Sequence, residues 1–126
     1  MDLKTARPTV FLAVTDTAEA TLFYRDKLGL RLVEDSQFAL VFDMAGCELR
    51  LSKVPQHTPL PFTVLDWQVE DVADAAEQLQ KAGVPRADFD GIEVDASGLW
   101  SSPDGGAKIF WFRDPDGNVL SLSQRS

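Results

Sequence analysis

A chain of 126 residues with 20 acidic and 12 basic side chains, for a net charge of −8, is long enough for one domain with its own core and too short for two. Its 44% hydrophobic and 25% charged content is that of a soluble globular protein. No apolar run has the length of a membrane span, and the excess negative charge repels nucleic acid and anionic membrane. Residues Met1 to Pro8 lack the apolar core of a signal peptide, and the single Cys47 cannot build a disulfide framework. Cytoplasm is therefore the expected location, with no nucleic-acid or membrane partner.

Thr9 to Thr15 is rich in β-branched and aromatic residues and reads as a buried strand. Asp16, with Glu19 three residues on, makes a variant capping box for a helix running to Gly29, with Ala20, Phe23, Tyr24 and Leu28 on its inner face. Leu30 to Glu34, Phe38 to Asp43 and Cys47 to Lys53 follow as three short strands, divided by Asp35-Ser36 and by Met44-Ala45-Gly46. Three prolines between Val54 and Thr63 keep that segment out of a sheet interior and make it a semi-rigid connection.

Beyond the connection the pattern restarts. Val64 to Glu70 reads as a strand and Asp71 as the next N-cap, while Val72, Ala75, Ala76 and Leu79 lie at helical spacing before Gly83 and Pro85. Arg86 to Asp90 is the next expected strand, and Gly91 to Gly106 is a long turn-rich loop of the kind that often carries function. Lys108 to Gln124 closes the chain as a hairpin. There Pro115 presets an early turn position, and Gly117 and Asn118 tolerate positive φ. Val14-Thr-Asp-Thr-Ala-Glu-Ala20 and Val69-Glu-Asp-Val-Ala-Asp-Ala75 are each a strand end, an Asp cap and an Ala-rich first turn. A duplicated βαβββ unit is the economical explanation. One α+β domain over 1–126 is expected, with module one at 9–53, a connection at 54–63 and module two at 64–124.

These stretches, with Phe23-Tyr-Arg-Asp-Lys-Leu-Gly-Leu30 and Phe112-Arg-Asp-Pro-Asp-Gly-Asn118, resemble the glyoxalase, bleomycin-resistance and extradiol-dioxygenase superfamily, the vicinal oxygen chelate fold, from Thr9 to Gln124. The resemblance implies paired βαβββ modules whose curved mixed sheet surrounds a cavity, helices on the outer face, commonly as a homodimer. In metal-using members resembling glyoxalase I, His, Glu or Gln side chains on the first and last strands of each module hold a divalent metal. The matching positions here are Thr9, Arg50, Val64 and Ser121. Val64 cannot coordinate, Arg50 repels a cation, and two hydroxyls are poor donors, so no metal or other cofactor is expected. Glu48 and Asp66 could form an unusual cation site, but an ion pair with Arg50 is the plainer reading of them. His57 reads as a solvated loop residue and Cys47 as a small strand residue rather than a nucleophile.

Side chains two apart on a strand share a face. Taking the four matched positions as cavity-facing also places Phe11, Glu48, Ser52, Asp66, Gln68 and Ser123 there, while Trp67 packs under a helix. Carried across the hairpins, the same parity turns Phe38, Leu40, Phe42, Ile109, Trp111 and Arg113 inward. The expected ligand contacts are Trp111, Phe38, Leu40, Phe42, Ile109, Arg50, Glu48, Asp66 and Ser121, an aromatic lining with a few polar groups that suits a small organic molecule. Core packing or a dimer interface would use the same aromatics. Trp100 reads as a lid or an interface anchor. The expected function is metal-independent binding of a planar or amphipathic small molecule, in the manner of bleomycin resistance. The alternative is a lyase, isomerase or dioxygenase with an unusual metal or an acid–base site.

Overall fold

The computed structural model describes residues Met1 to Ser126, which form two compact units, Met1–Thr58 and Pro59–Ser126. The first contains β1 (Thr9–Val14), α1 (Thr17–Thr21), a π-helical stretch (Leu22–Lys27), β2 (Arg31–Asp35), β3 (Ala39–Met44) and β4 (Cys47–Lys53). Asp16 caps α1 as its sequence indicates, its Oδ1 accepting the Glu19 N–H at 3.0 Å. The expected single helix to Gly29 instead widens into π turns, with the Leu28 N–H donating to the Phe23 carbonyl at 2.9 Å. Gly29 ends the stretch at φ +77°.

The sheet of this unit has the order β1-β4-β3-β2, with β1 parallel to β4 and the other pairs antiparallel. Leu12 lies beside Leu51, Leu51 beside Leu40, and Leu49 beside Phe42. These side chains are buried, and the Phe42 ring meets the buried Tyr24 ring of the π-helical stretch at 5.9 Å. One sheet face and one helical face thus make the core of the unit.

This pairing corrects the expected orientation of β3. Met44 is not part of the turn but pairs with Cys47, so the connection is Ala45-Gly46 alone, with Gly46 at φ +74°. A hairpin shorter by one residue reverses which side chains accompany those of β4. Leu40 and Phe42 therefore belong to the core rather than to the opposite face, where Val41 stands beside Arg50. Phe38 lies outside the strand and is 67% exposed.

The second unit repeats the plan with β5 (Thr63–Gln68), α2 (Val72–Lys81), β6 (Trp100–Ser101), β7 (Ala107–Arg113) and β8 (Val119–Arg125), in the sheet order β5-β8-β7-β6. Asp71 caps α2 through the Asp74 N–H at 3.1 Å. Gln124 Oε1 accepts the Val72 N–H at 2.9 Å, tying the last strand to the start of the helix. Phe110, Phe112 and Leu120 are fully buried on the core face, where Trp67 stacks on Phe112 at 6.4 Å.

The expected strand at Arg86 to Asp90 is only an isolated bridge between Arg86 and Phe112. The fourth strand of the sheet is β6, inside the segment expected to be a loop. Asp95 Oδ1 accepts the N–H groups of Ser97 and Leu99, and Gly98 turns at φ +85°. This tight turn delivers Trp100 and Ser101 to the edge of β7, opposite Ile109 and Lys108.

Candidate functional site

The face of the second sheet opposite its core gathers chemistry in rows across its strands. Trp111, Ser121 and Asp66 lie side by side on β7, β8 and β5, and Trp100, Ile109, Ser123 and Gln68 form the next row from β6 to β5. Pairing is direct in both rows, so these side chains project to one side of the sheet. For Ile109, Trp111, Asp66, Ser121, Gln68, Ser123 and Arg113 this agrees with the parity expected from sequence.

Aromatic rings build one wall. Trp111 meets Trp100 at 6.0 Å and Phe89 edge-on at 5.9 Å. Its indole N–H donates to Thr63 Oγ1 at 3.1 Å, so the ring reaches from β7 across to β5. Arg113 places its guanidinium over the other side of this cluster, 5.1 Å from the Phe89 ring centre, and donates to the Gly117 carbonyl at 3.2 Å.

Polar groups occupy the neighbouring strip. Ser121 Oγ donates to Asp66 Oδ1 at 2.6 Å and Ser123 Oγ to Asp66 Oδ2 at 2.7 Å. Both serines are 3% exposed, while Asp66 itself is exposed. Toward the ends of β7 and β8 lies a cleft of about 280 Å³ lined by Ser102, Asp104, Gly106, Ala107, Ile109, Ser123 and Arg125. The Ser102 hydroxyl at 2.7 Å and the Gly106 N–H hold the Asp104 carboxyl below its ordinary pKa.

The corresponding face of the first unit is organised differently. Arg7 pairs with Asp43 and approaches Glu48 at 3.5 Å, and it donates to the Cys47 carbonyl at 3.1 Å. The expected Glu48–Arg50 pair is thus replaced by one with Arg7. Arg50 is half-buried beside Phe11 and Val41 and has no acidic partner within its unit. The expected ligand contacts Leu40 and Phe42 are removed from this face altogether, because both are fully buried in the core of the unit.

The four positions matched to a metal set carry two hydroxyls, a guanidinium and an aliphatic side chain. Thr9 stands beside Glu48 rather than Arg50, Val64 lies in the irregularity between Thr63 and Leu65, and Ser121 already donates its proton to Asp66. Glu48 is held by Arg7 and Asp66 by two serines, and no three His, Cys, Asp or Glu side chains converge. Sequence parity found most of the second-unit face but not Phe89, Thr63 or the place of Trp100. A two-residue edge strand carries no periodicity by which to find it.

A twice-repeated βαβββ unit, each with its own four-stranded mixed sheet, defines an α+β fold. A profile of the Glyoxalase/Bleomycin resistance protein/Dioxygenase superfamily matches residues 7–122, and the chain belongs to that superfamily. Among solved structures it is similar to a glyoxalase family protein from Enterococcus faecalis, with 20% identity, coverage of 98% of this chain and 99% of that one, and a TM-score of 0.76. It is also similar to a fosfomycin resistance protein from Listeria monocytogenes, with 15% identity, 94% and 92% coverage and a TM-score of 0.74. A lactoylglutathione lyase from Agrobacterium tumefaciens shows 19% identity, 95% and 93% coverage and a TM-score of 0.72. No curated protein matches the sequence significantly. No helix is long and apolar enough to cross a membrane.

Proposed function

We propose that the protein binds a small planar or amphipathic organic molecule without a metal, sequestering or sensing it. The observation that carries this reading is the half-buried Trp111, backed by Trp100 and Phe89 and lying in the same row as Asp66. Aromatic walls supply apolar contact area, and one or two fixed polar groups orient the ligand, the usual division of labour in an organic-molecule site. Two proteins of similar fold are named for fosfomycin resistance and for a lactoylglutathione lyase, names that refer to small organic molecules. A cytoplasmic homodimer belongs to the same reading.

Titration of the intrinsic tryptophan fluorescence with a panel of planar drugs and metabolites tests it. A saturable change is expected from the wild type and from Trp67→Phe, whose ring is stacked on Phe112 on the core face. Trp111→Phe should lose most of the signal. Silence across the panel, together with stoichiometric metal in elemental analysis of the purified protein, would reject the proposal.

A further inference from the structure

The face of the second sheet opposite its core has an unequal supply of donors and acceptors. A serine hydroxyl has one proton to give, and Ser121 and Ser123 both give theirs to Asp66. Their outward capacity is then lone pairs only. The indole N–H of Trp111 is likewise taken by Thr63. At the centre of the face stand a carboxylate, two hydroxyl oxygens whose protons are already given and an aromatic ring, with donors at the margins, on Thr63, Gln68, Trp100 and Arg113.

Asp66 is also set apart from the other charges of its unit. Lys81 pairs with Glu77, Arg86 with Asp88, and Arg113 covers Phe89 and the Gly117 carbonyl. Lys108 stands opposite Gln124 and Arg125 opposite Ala107, toward the far ends of β7 and β8. No cation of the second unit forms an ion pair with Asp66. Its two oxygens are nonetheless fixed by buried hydroxyls, and a carboxylate offers about four lone-pair positions, of which those bonds use two. An exposed carboxylate held in one orientation, with acceptor capacity left over, is preorganised for a partner that brings protons and positive charge.

We infer that the molecule bound on this face carries a protonated amine, held by Asp66 while its apolar body lies against Trp111 and Ile109. An ammonium group satisfies the spare lone pairs of Asp66 and is attracted by the adjacent indole face. A carboxylate or phosphate beside Asp66 would face its negative charge and two hydroxyl oxygens whose protons are already given. The inference rests on the reading of this face as an organic-molecule site and adds the charge of its ligand. Asp104 in the cleft next to Ser123 and Ile109 brings a second carboxylate to the same end of the face, opposed there by Arg125.

Dansylcadaverine and its N-acetyl derivative share one fluorophore and chain and differ in the terminal charge, so they test the inference on the wild-type protein alone. The amine should bind about tenfold more tightly at low ionic strength, the difference that one charge-assisted hydrogen bond supplies, and the advantage should shrink as salt is raised. Asp66→Asn, which removes the charge, should abolish the preference by weakening the amine far more than the acetylated form. Equal binding of the two forms, sensitive to Trp111→Phe, would overturn the inference and leave the organic-molecule reading intact. Failure of both forms to bind at millimolar concentration would overturn both.

Discussion

The two main hairpins occupy equivalent places in the two units and turn in different ways. β3 and β4 are joined by two residues, Ala45-Gly46, because Met44 still pairs with Cys47. β7 and β8 are joined by five, Asp114 to Asn118, between the paired Arg113 and Val119. An even loop places even-numbered side chains opposite odd-numbered ones, and an odd loop keeps them alike. So Phe42 faces the core with Leu49, whereas Trp111 faces outward with Ser121. Two similar aromatic strands thereby take opposite roles, one as core and one as candidate binding surface.

Truncation at these two positions should separate the roles most sharply. Phe42 is fully buried against Tyr24, and Phe42→Ala should lower unfolding free energy by about 3–5 kcal/mol, read from urea denaturation. Trp111→Phe removes one half-buried indole hydrogen bond to Thr63 and should cost about 1 kcal/mol. Equal losses at the two sites would mean that the register assigned to one of the hairpins is wrong.

The longer turn needs internal bracing that the shorter one does without. Asp114 is 5% exposed. Its Oδ1 accepts the N–H groups of Asp116 and Asn118 at 3.0 and 2.9 Å, and its Oδ2 accepts the Asn118 side-chain amide at 2.8 Å. Asp114→Ala leaves those donors without this acceptor in a buried place, and about 2–3 kcal/mol of destabilisation is expected in the same denaturation assay. Asp114→Asn keeps an oxygen for the two backbone groups but turns an amide toward that of Asn118, so its loss should be smaller.

The sequence carried the general plan well because its strongest signals are local. Asp16 and Asp71 cap where they should, since each side chain needs only the N–H three residues ahead. Cys47–Lys53 forms a strand over the expected residues, and the outward set Ile109, Trp111, Asp66, Ser121 and Ser123 follows from simple alternation. The candidate site was less legible where one residue of register mattered. With Met44 assigned to the turn, Leu40 and Phe42 move to the wrong face, and nothing in the local composition separates a two-residue connection from a three-residue one. The edge strand Trp100–Ser101 depends on the turn around Asp95 and on pairing with β7, which are contacts formed only in the folded chain. The engagement of Glu48 by Arg7 links segments about forty residues apart, beyond any periodicity.

The turns themselves can be tested through their glycines. Gly46 and Gly117 both hold positive φ, +74° and +86°, so an alanine at either place takes on left-handed backbone strain of about 1 kcal/mol. Their surroundings differ. A Cβ on Gly46 would meet nothing within 4 Å, whereas one on Gly117 would lie 3.1 Å from Pro59 Cγ, at the start of the second unit. Gly46→Ala should therefore cost about 1 kcal/mol and Gly117→Ala roughly twice that, because Pro59 must shift as well. Chemical denaturation of the two variants side by side measures the difference. If the order is reversed, the five-residue turn is the more yielding of the two, and the bracing assigned to Asp114 does not hold Gly117 against Pro59.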